Sequence, residues 1–157
     1  MSNTIRRIVL ISTAFPQSAP SGYSEAASIV AQSPARRAPP PCNVGVETGE
    51  ATAVTLRQVL QAPADFDGHW VRLEGFVVLP FEGTAVYETP ADFNHRRRWR
   101  SIFLTLNPDL KAQGARPACD GVDAVVEGKF NGFENGTFGL FPATLDPVTR
   151  ISGTTLR

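Results

Sequence analysis

Between Trp70 and Leu79 the segment WVRLEGFVVL places an apolar residue at every second position from Val71 to Leu79, with one interruption at Gly75. A period of two puts Val71, Leu73, Val77 and Leu79 on one face of a strand. A glycine inside such a strand removes a side chain from that face and lets the backbone bulge or coil. The arrangement returns at AVVEGKF, Ala124 to Phe130, which aligns with VRLEGFV, Val71 to Val77, around Glu74-Gly75 and Glu127-Gly128. Small closed barrels need sharp coiling of this kind at their corners, whereas two short matches are too few for a repeat protein. A chain of 157 residues with 42% hydrophobic content has room for one such domain.

The other elements follow from local signals. Thr52 or Thr55 caps a short helix in which Leu56, Val59 and Leu60 share a face, ending before Pro63, and PADFDGH reads as a turn. FEGTAVYE supplies a turn at Glu82 and Gly83 and a short strand around Ala85 to Tyr87, and TPADFNHRRR reads as a polar loop. In SIFLTL, Ile102, Leu104 and Leu106 face one way, while Ser101, Phe103 and Thr105 face the other. NPDLKAQGARPACDG has room for a helical turn around Pro108 to Ala112. A strand over Val122 to Phe130, the turn NGFENG and a last strand from about Thr137 to Leu145, extending toward Ile151, complete the set. Pro142 and Pro147 predict that this last strand is an edge or is broken.

Five strands, with the longer connection between the third and the fourth, predict a mainly β domain over residues 51–157. The expected architecture is a small five-stranded OB-like Greek-key barrel with a short N-terminal helix and a short helix between the third and fourth strands. Residues 1–50, rich in Pro, Ser and Ala and including SPARRAPPPC, read as a disordered tail or linker. Arg6 and Arg7 ahead of IVLISTAF, with SEA at Ser24 to Ala26, form a weak signal-like pattern that Pro16 and the polar stretch after it interrupt. On balance this favours the cytoplasm over periplasmic or secreted placement, and no run reaches the ~20 apolar residues of a membrane span.

The segments DGHWVRLEGFVVLPFEGTAVY, VDAVVEGKFN, GTFGLFPATL and VTRI together resemble a family of small bacterial OB-fold-like proteins. Its outline is D-G-x-x-V-R-x-x-G, then F-E-x-x-x-x-Y, then V-x-V-E-G-x-F, and the likeness runs from roughly Phe66 to Ile151. The resemblance implies the barrel fold and frequent export signals. It brings no assigned catalytic residues and no biochemical role.

Charge narrows the function classes. The chain carries 15 basic and 15 acidic residues, without the excess of positive charge expected of a general nucleic-acid binder. Basic character concentrates at NHRRRWR, where Arg96, Arg97, Arg98, Trp99 and Arg100 precede Phe103, with Tyr87 on the strand before. These seven residues are the ligand-binding candidates. Cations interleaved with aromatics are what a barrel needs to hold single-stranded nucleic acid, but Glu82, Glu88 and Asp92 lie close by and predict a solvated, partly ion-paired strand entrance. The leading expectation is a non-catalytic binding module that takes a protein partner through the loop between the second and third strands. Single-stranded nucleic acid is the alternative.

Other constellations are weaker. Asp65, Asp67 and His69 in DFDGH fit turn chemistry better than a metal centre, so neither metal nor cofactor is expected. His95 with Asp92 or Cys119 lacks the local context of a nucleophile and its base, which leaves catalysis disfavoured. Cys42 and Cys119 read as two unrelated thiols rather than a bridge, because nothing else in the chain establishes an oxidising compartment. Phe81, Phe138 and Phe141 read as core or barrel-mouth packing. Phe133, at the tip of NGFENG, is instead placed to touch a partner or the N-terminal helix.

Overall fold

Strand β3, Trp70–Val78, organises the molecule; the computed structural model describes residues 41–154, so the expectations for the chain before Pro41 lie outside the described residues. Along one edge β3 pairs throughout with β6, Val122–Asn131. Its other edge is shared: β2, Thr52–Val54, runs parallel to residues 71–73, and β4, Ala85–Tyr87, runs antiparallel to residues 76–78. Gly75 stands at the junction. A Cβ there would lie 2.5 Å from the Tyr87 carbonyl oxygen and 2.7 Å from Val86 Cγ2, so only a glycine lets β4 approach while β3 coils.

From β4 the sheet continues to β5, Ser101–Leu106, which runs parallel to β7, Thr144–Gly153, and β7 pairs back with β6. The circuit β3-β4-β5-β7-β6-β3 closes a five-stranded OB-like barrel. Alternation fills its interior as the sequence predicts: Val71, Leu73, Val77, Ile102, Leu104 and Leu106 are all buried. Each such side chain contributes roughly 1.5–3 kcal/mol of burial free energy. Phe130, Leu145 and Ile151 complete the same core.

Helix α1, Leu56–Gln61, is capped by Thr55, whose hydroxyl accepts from the Gln58 amide while the Gln58 side chain reaches back to the Thr55 amide. Leu56 and Val59 enter the core as expected. The connection between β5 and β6 holds two short helices, α4 at Pro108–Ala112 and α5 at Ala115–Cys119, where one turn was expected. PADFDGH contains a helical turn, α2 at Pro63–Phe66, because Pro63 at N1 is suited to helix entry, and the turn proper falls at Asp67 and Gly68.

Three further expectations need correction. The folded region begins before Ala51: Asn43–Gly45 forms β1, antiparallel to residues 150–152 of β7. β5 ends at Leu106, leaving that stretch of β7 open, and β1 occupies it. Cys42 and Cys119 are bridged, tying the strand entrance to α5. The last strand starts at Thr144, with a 3-10 turn at Thr137–Gly139 before it. It is no edge, since it pairs with β1, β5 and β6. It is irregular around Pro147, where the register against β6 shifts beside Gly128.

Between β1 and β2 the chain crosses the outside of β6 and covers Glu127, which is fully buried. Arg72 of β3 and Arg150 of β7 are the register partners of Glu127 on either side. The Glu127 carboxylate accepts from Arg72 Nε at 2.9 Å, Arg150 Nη1 at 3.2 Å and the Thr48 amide at 3.0 Å. Glu47 pairs with both arginines from above. Burial works against the charged form of Glu127; the Thr48 amide, then Arg72 and Arg150, outweigh it and hold the carboxyl below its usual range. Glu74, the equivalent residue in the first copy of the motif, is exposed.

Candidate functional site: an aromatic face beside the arginine loop

The outer face of β3, β4 and β5 is apolar. Register places Phe76, Tyr87 and Ser101 in one cross-strand row and Val78, Ala85 and Phe103 in the next. Phe141, arriving from the segment before β7, covers part of this face, and the Phe103 and Phe141 rings lie 5.4 Å apart. Phe93 closes the other side, 5.4 Å from Tyr87 in an edge-on arrangement and 5.9 Å from Phe76.

Above the face runs a cleft of about 300 Å³ between the turn after β3 and the segment 137–141, with Tyr87, Phe93, Arg98, Phe138 and Leu140 in its walls. Phe138 is 83% exposed and Leu140 45%. Phe138 has φ of 60°, a conformation that disfavours a bulky aromatic residue. A ring that is both conformationally costly and unpacked is a functional signal. Phe81, on the facing turn, is 84% exposed.

The arginine stretch does not act as one patch. Thr89 caps α3, Pro90–Asn94, in what the sequence presents as a polar loop. The helix closes in a Schellman turn: Arg96 takes the left-handed position with φ of 54°, its amide donates to the Phe93 carbonyl and the Arg97 amide to the Asp92 carbonyl. A 3-10 turn at Arg98–Arg100 then enters β5. The successive side chains therefore leave in different directions.

Arg97 and Arg100 turn back onto buried Asp92, at 3.4 and 3.3 Å. Arg100 also binds Glu88 at 2.6 Å, and Arg57 of α1 reaches the same Glu88 at 2.8 Å. Burial disfavours the Asp92 carboxylate, but the Thr89 hydroxyl and the two arginines prevail and keep its pKa low. The expected ion-paired strand entrance is thus present for Arg97 and Arg100. Arg96 and Arg98 are exposed and have no carboxylate within 4.0 Å among the described residues. Arg98 alone of the four lines the cleft. Burial raises the pKa of the Tyr87 hydroxyl, opposed by Arg98 and Ser101 beside it. Trp99 is 67% exposed on the 3-10 turn, outside the cleft walls.

Of the seven sequence candidates, the fold brings Tyr87, Phe103 and Arg98 to the aromatic face and leaves Arg96, Arg97, Trp99 and Arg100 around its rim or inside the protein's own ion pairs. Phe141 packs as expected, but Phe81 and Phe138 do not, and Phe133 stands 70% exposed at its turn. Phe76, Phe93 and Leu140 belong to the site without having drawn attention in the sequence. The signal available for Leu140 and Phe138 was their place among glycines, in GTFGL, where no strand period supports burial.

Two members of the other constellations are taken up in structural contacts. Asp67 accepts from the Gly132 amide at 2.9 Å, a turn contact between two loops. Cys119 spends its thiol in the bridge to Cys42, so it has no nucleophile to offer. A cleft of about 610 Å³ between α1 and the barrel has Arg57, Arg72 and Glu88 in its walls, all of them engaged in ion pairs.

The chain matches no family model, no curated protein and no solved structure closely enough to assign a relationship.

Proposed function

We propose that the protein is a non-catalytic binding module whose aromatic face takes an apolar segment of a partner protein. The observation that carries this reading is the pair Phe138 and Leu140, exposed over a cleft floored by Tyr87 and Phe141. Exposed aromatic and aliphatic side chains gathered around a cleft mark contact sites more often than they mark solvated surface. In OB-like barrels the loops and strand face at this place are the usual ligand platform.

The test compares the wild-type chain with Phe138→Ser/Leu140→Ser as baits under native conditions. Both positions are exposed, so the expected change in stability is within about 0.5 kcal/mol. A partner retained by the wild type and lost by the variant, with at least roughly thirtyfold weaker binding in a purified titration, supports the reading. Equal retention by both baits, or no specific partner for either, counts against it.

A second reading has its own observation: Arg96, Arg98 and Trp99 are exposed between the end of α3 and β5, the two arginines without a carboxylate partner among the described residues, and these are residue types that hold single-stranded nucleic acid. The self-neutralised Arg97 and Arg100 weaken it, as does the Cys42–Cys119 bridge, since stable disulfides belong to oxidising compartments. A labelled single-stranded oligonucleotide titrated at several salt concentrations separates the readings. Steep salt dependence that weakens on replacing Arg96 and Arg98 supports the second, and absence of binding at low salt eliminates it.

A further inference from the structure

We propose that the cleft beside Phe81 is a carboxylate subsite, in which Arg116 and Lys111 take a carboxylate of the same protein partner that lies on the aromatic face. This inference rests on the binding reading above and adds a charged anchor to it.

Arg116 of α5 stacks over the Phe81 ring, its guanidinium carbon 5.5 Å from the ring centroid. Its Nη2 reaches the Phe81 carbonyl at 3.4 Å, a poor contact. Its Nε is buried with no hydrogen-bond partner, the one such side-chain atom among the described residues. Arg57, Arg72, Arg97, Arg100 and Arg150 each have a carboxylate within 4.0 Å; Arg116 has none among the described residues, and neither has Lys111. A partly desolvated guanidinium normally sits against an acceptor, because an unpaired buried donor carries its full desolvation cost. Here packing against Phe81 holds the cation in place, and no described residue supplies its acceptor, which leaves the position open to one from a partner.

Both cations line a cleft of about 240 Å³ that shares Glu82, Gly83 and Thr137 with the aromatic cleft, so the two adjoin. An extended segment crossing from one to the other meets apolar surface first and positive charge next. Glu82 stands between them. Its charge opposes a run of phosphates more strongly than a single carboxylate, which favours a protein partner over nucleic acid.

The experiment selects short random peptides displayed on phage against the full chain, in two formats: internal, and with a free C-terminus. An Asp or Glu enriched at fixed spacing from an aromatic or aliphatic residue in the internal format identifies a side-chain carboxylate. Apolar peptides enriched only with a free C-terminus identify the terminal one. The selected peptide is then synthesised with its carboxylate and as the amide. The amide binds the wild type at least about tenfold more weakly, and the difference disappears in Arg116→Met. The Arg116 Nε–Hε NMR signal shifts with the acid peptide and not with the amide. If Arg116→Met fails to fold, Lys111→Met carries the same comparison.

Equal affinity of acid and amide overturns the subsite. If that peptide still loses binding on Phe138→Ser, the aromatic reading stands without it. Binding indifferent to Phe138→Ser, or no enriched peptide in either format, overturns both. Oligothymidylate binding tighter than any peptide and weakened by Arg116→Met reassigns the cleft to phosphate.

Discussion

Replacing Glu127 by Gln removes a charge from the middle of a covered lattice while changing the side-chain volume little. The carboxylate accepts from Arg72 and Arg150 through Oε1 and from the Thr48 amide and hydroxyl through Oε2. A glutamine must turn its amide nitrogen toward one of these donor pairs, so at least one contact becomes donor against donor. Removing one member of a buried ion pair typically costs about 3–5 kcal/mol. Glu47 still pairs with both arginines, which are 33% and 26% exposed and regain water, so the expected loss is about 2–3 kcal/mol. The assay is urea unfolding followed by Trp70 and Trp99 fluorescence, in which this loss lowers the midpoint by roughly 1–2 M. Glu74→Gln is the control, with an expected change within about 0.5 kcal/mol because Glu74 is exposed.

The pH dependence gives the second half of the test. The folded pKa of Glu127 lies below the unfolded value of about 4.3. Its contribution is therefore fully present above that pH and is lost as pH falls through the folded pKa. The gap between wild type and Glu127→Gln should be open near neutrality and close progressively in acid. A gap that persists unchanged well below the carboxylate range, or a Glu127→Gln variant as stable as Glu74→Gln, would refute the reasoning.

Two further outcomes check the fold. Cys42→Ser/Cys119→Ser, or reduction of the wild type, should cost about 2–4 kcal/mol in the same urea assay, because the bridge closes a loop with a sequence separation of 77 residues and anchors β1; an unchanged midpoint would mean that β1 holds without it. Gly75→Ala should lose at least about 2 kcal/mol, since its Cβ meets backbone at Tyr87 rather than a side chain that can move, and a midpoint equal to that of wild type would show that β3 and β4 are less closely apposed than described.

The barrel strands were legible because burial on one face of a strand leaves a period of two. Ile102, Leu104 and Leu106 show it, as do Val71, Leu73 and Val77, and both glycines of the repeated motif fall where pairing changes partner or register. β1 and β2 were not legible: each has only three residues, too few to show a period, and each is held by an open edge of a longer strand. The helical turns at Pro63–Phe66 and Pro90–Asn94 both open on a proline, and Thr89 caps the second, but they have too little apolar pattern to stand out from loops.

What the sequence by itself determined is the closed barrel and the presence of cations and aromatics near its third strand, because alternation, glycine and composition are properties of neighbouring residues. Only the tertiary structure decided which of those side chains are available. Glu74 and Glu127 occupy the same place in the same motif, yet one is solvated and the other is roofed by residues 46–51, a segment remote in sequence from both. Arg97, Arg98 and Arg100 read alike, yet Asp92 and Glu88 claim two of them and leave Arg98 at the cleft. The acids that take these arginines were visible nearby in the sequence, but which arginine each one takes, and what roofs Glu127, depends on what the fold brings to within a few ångströms.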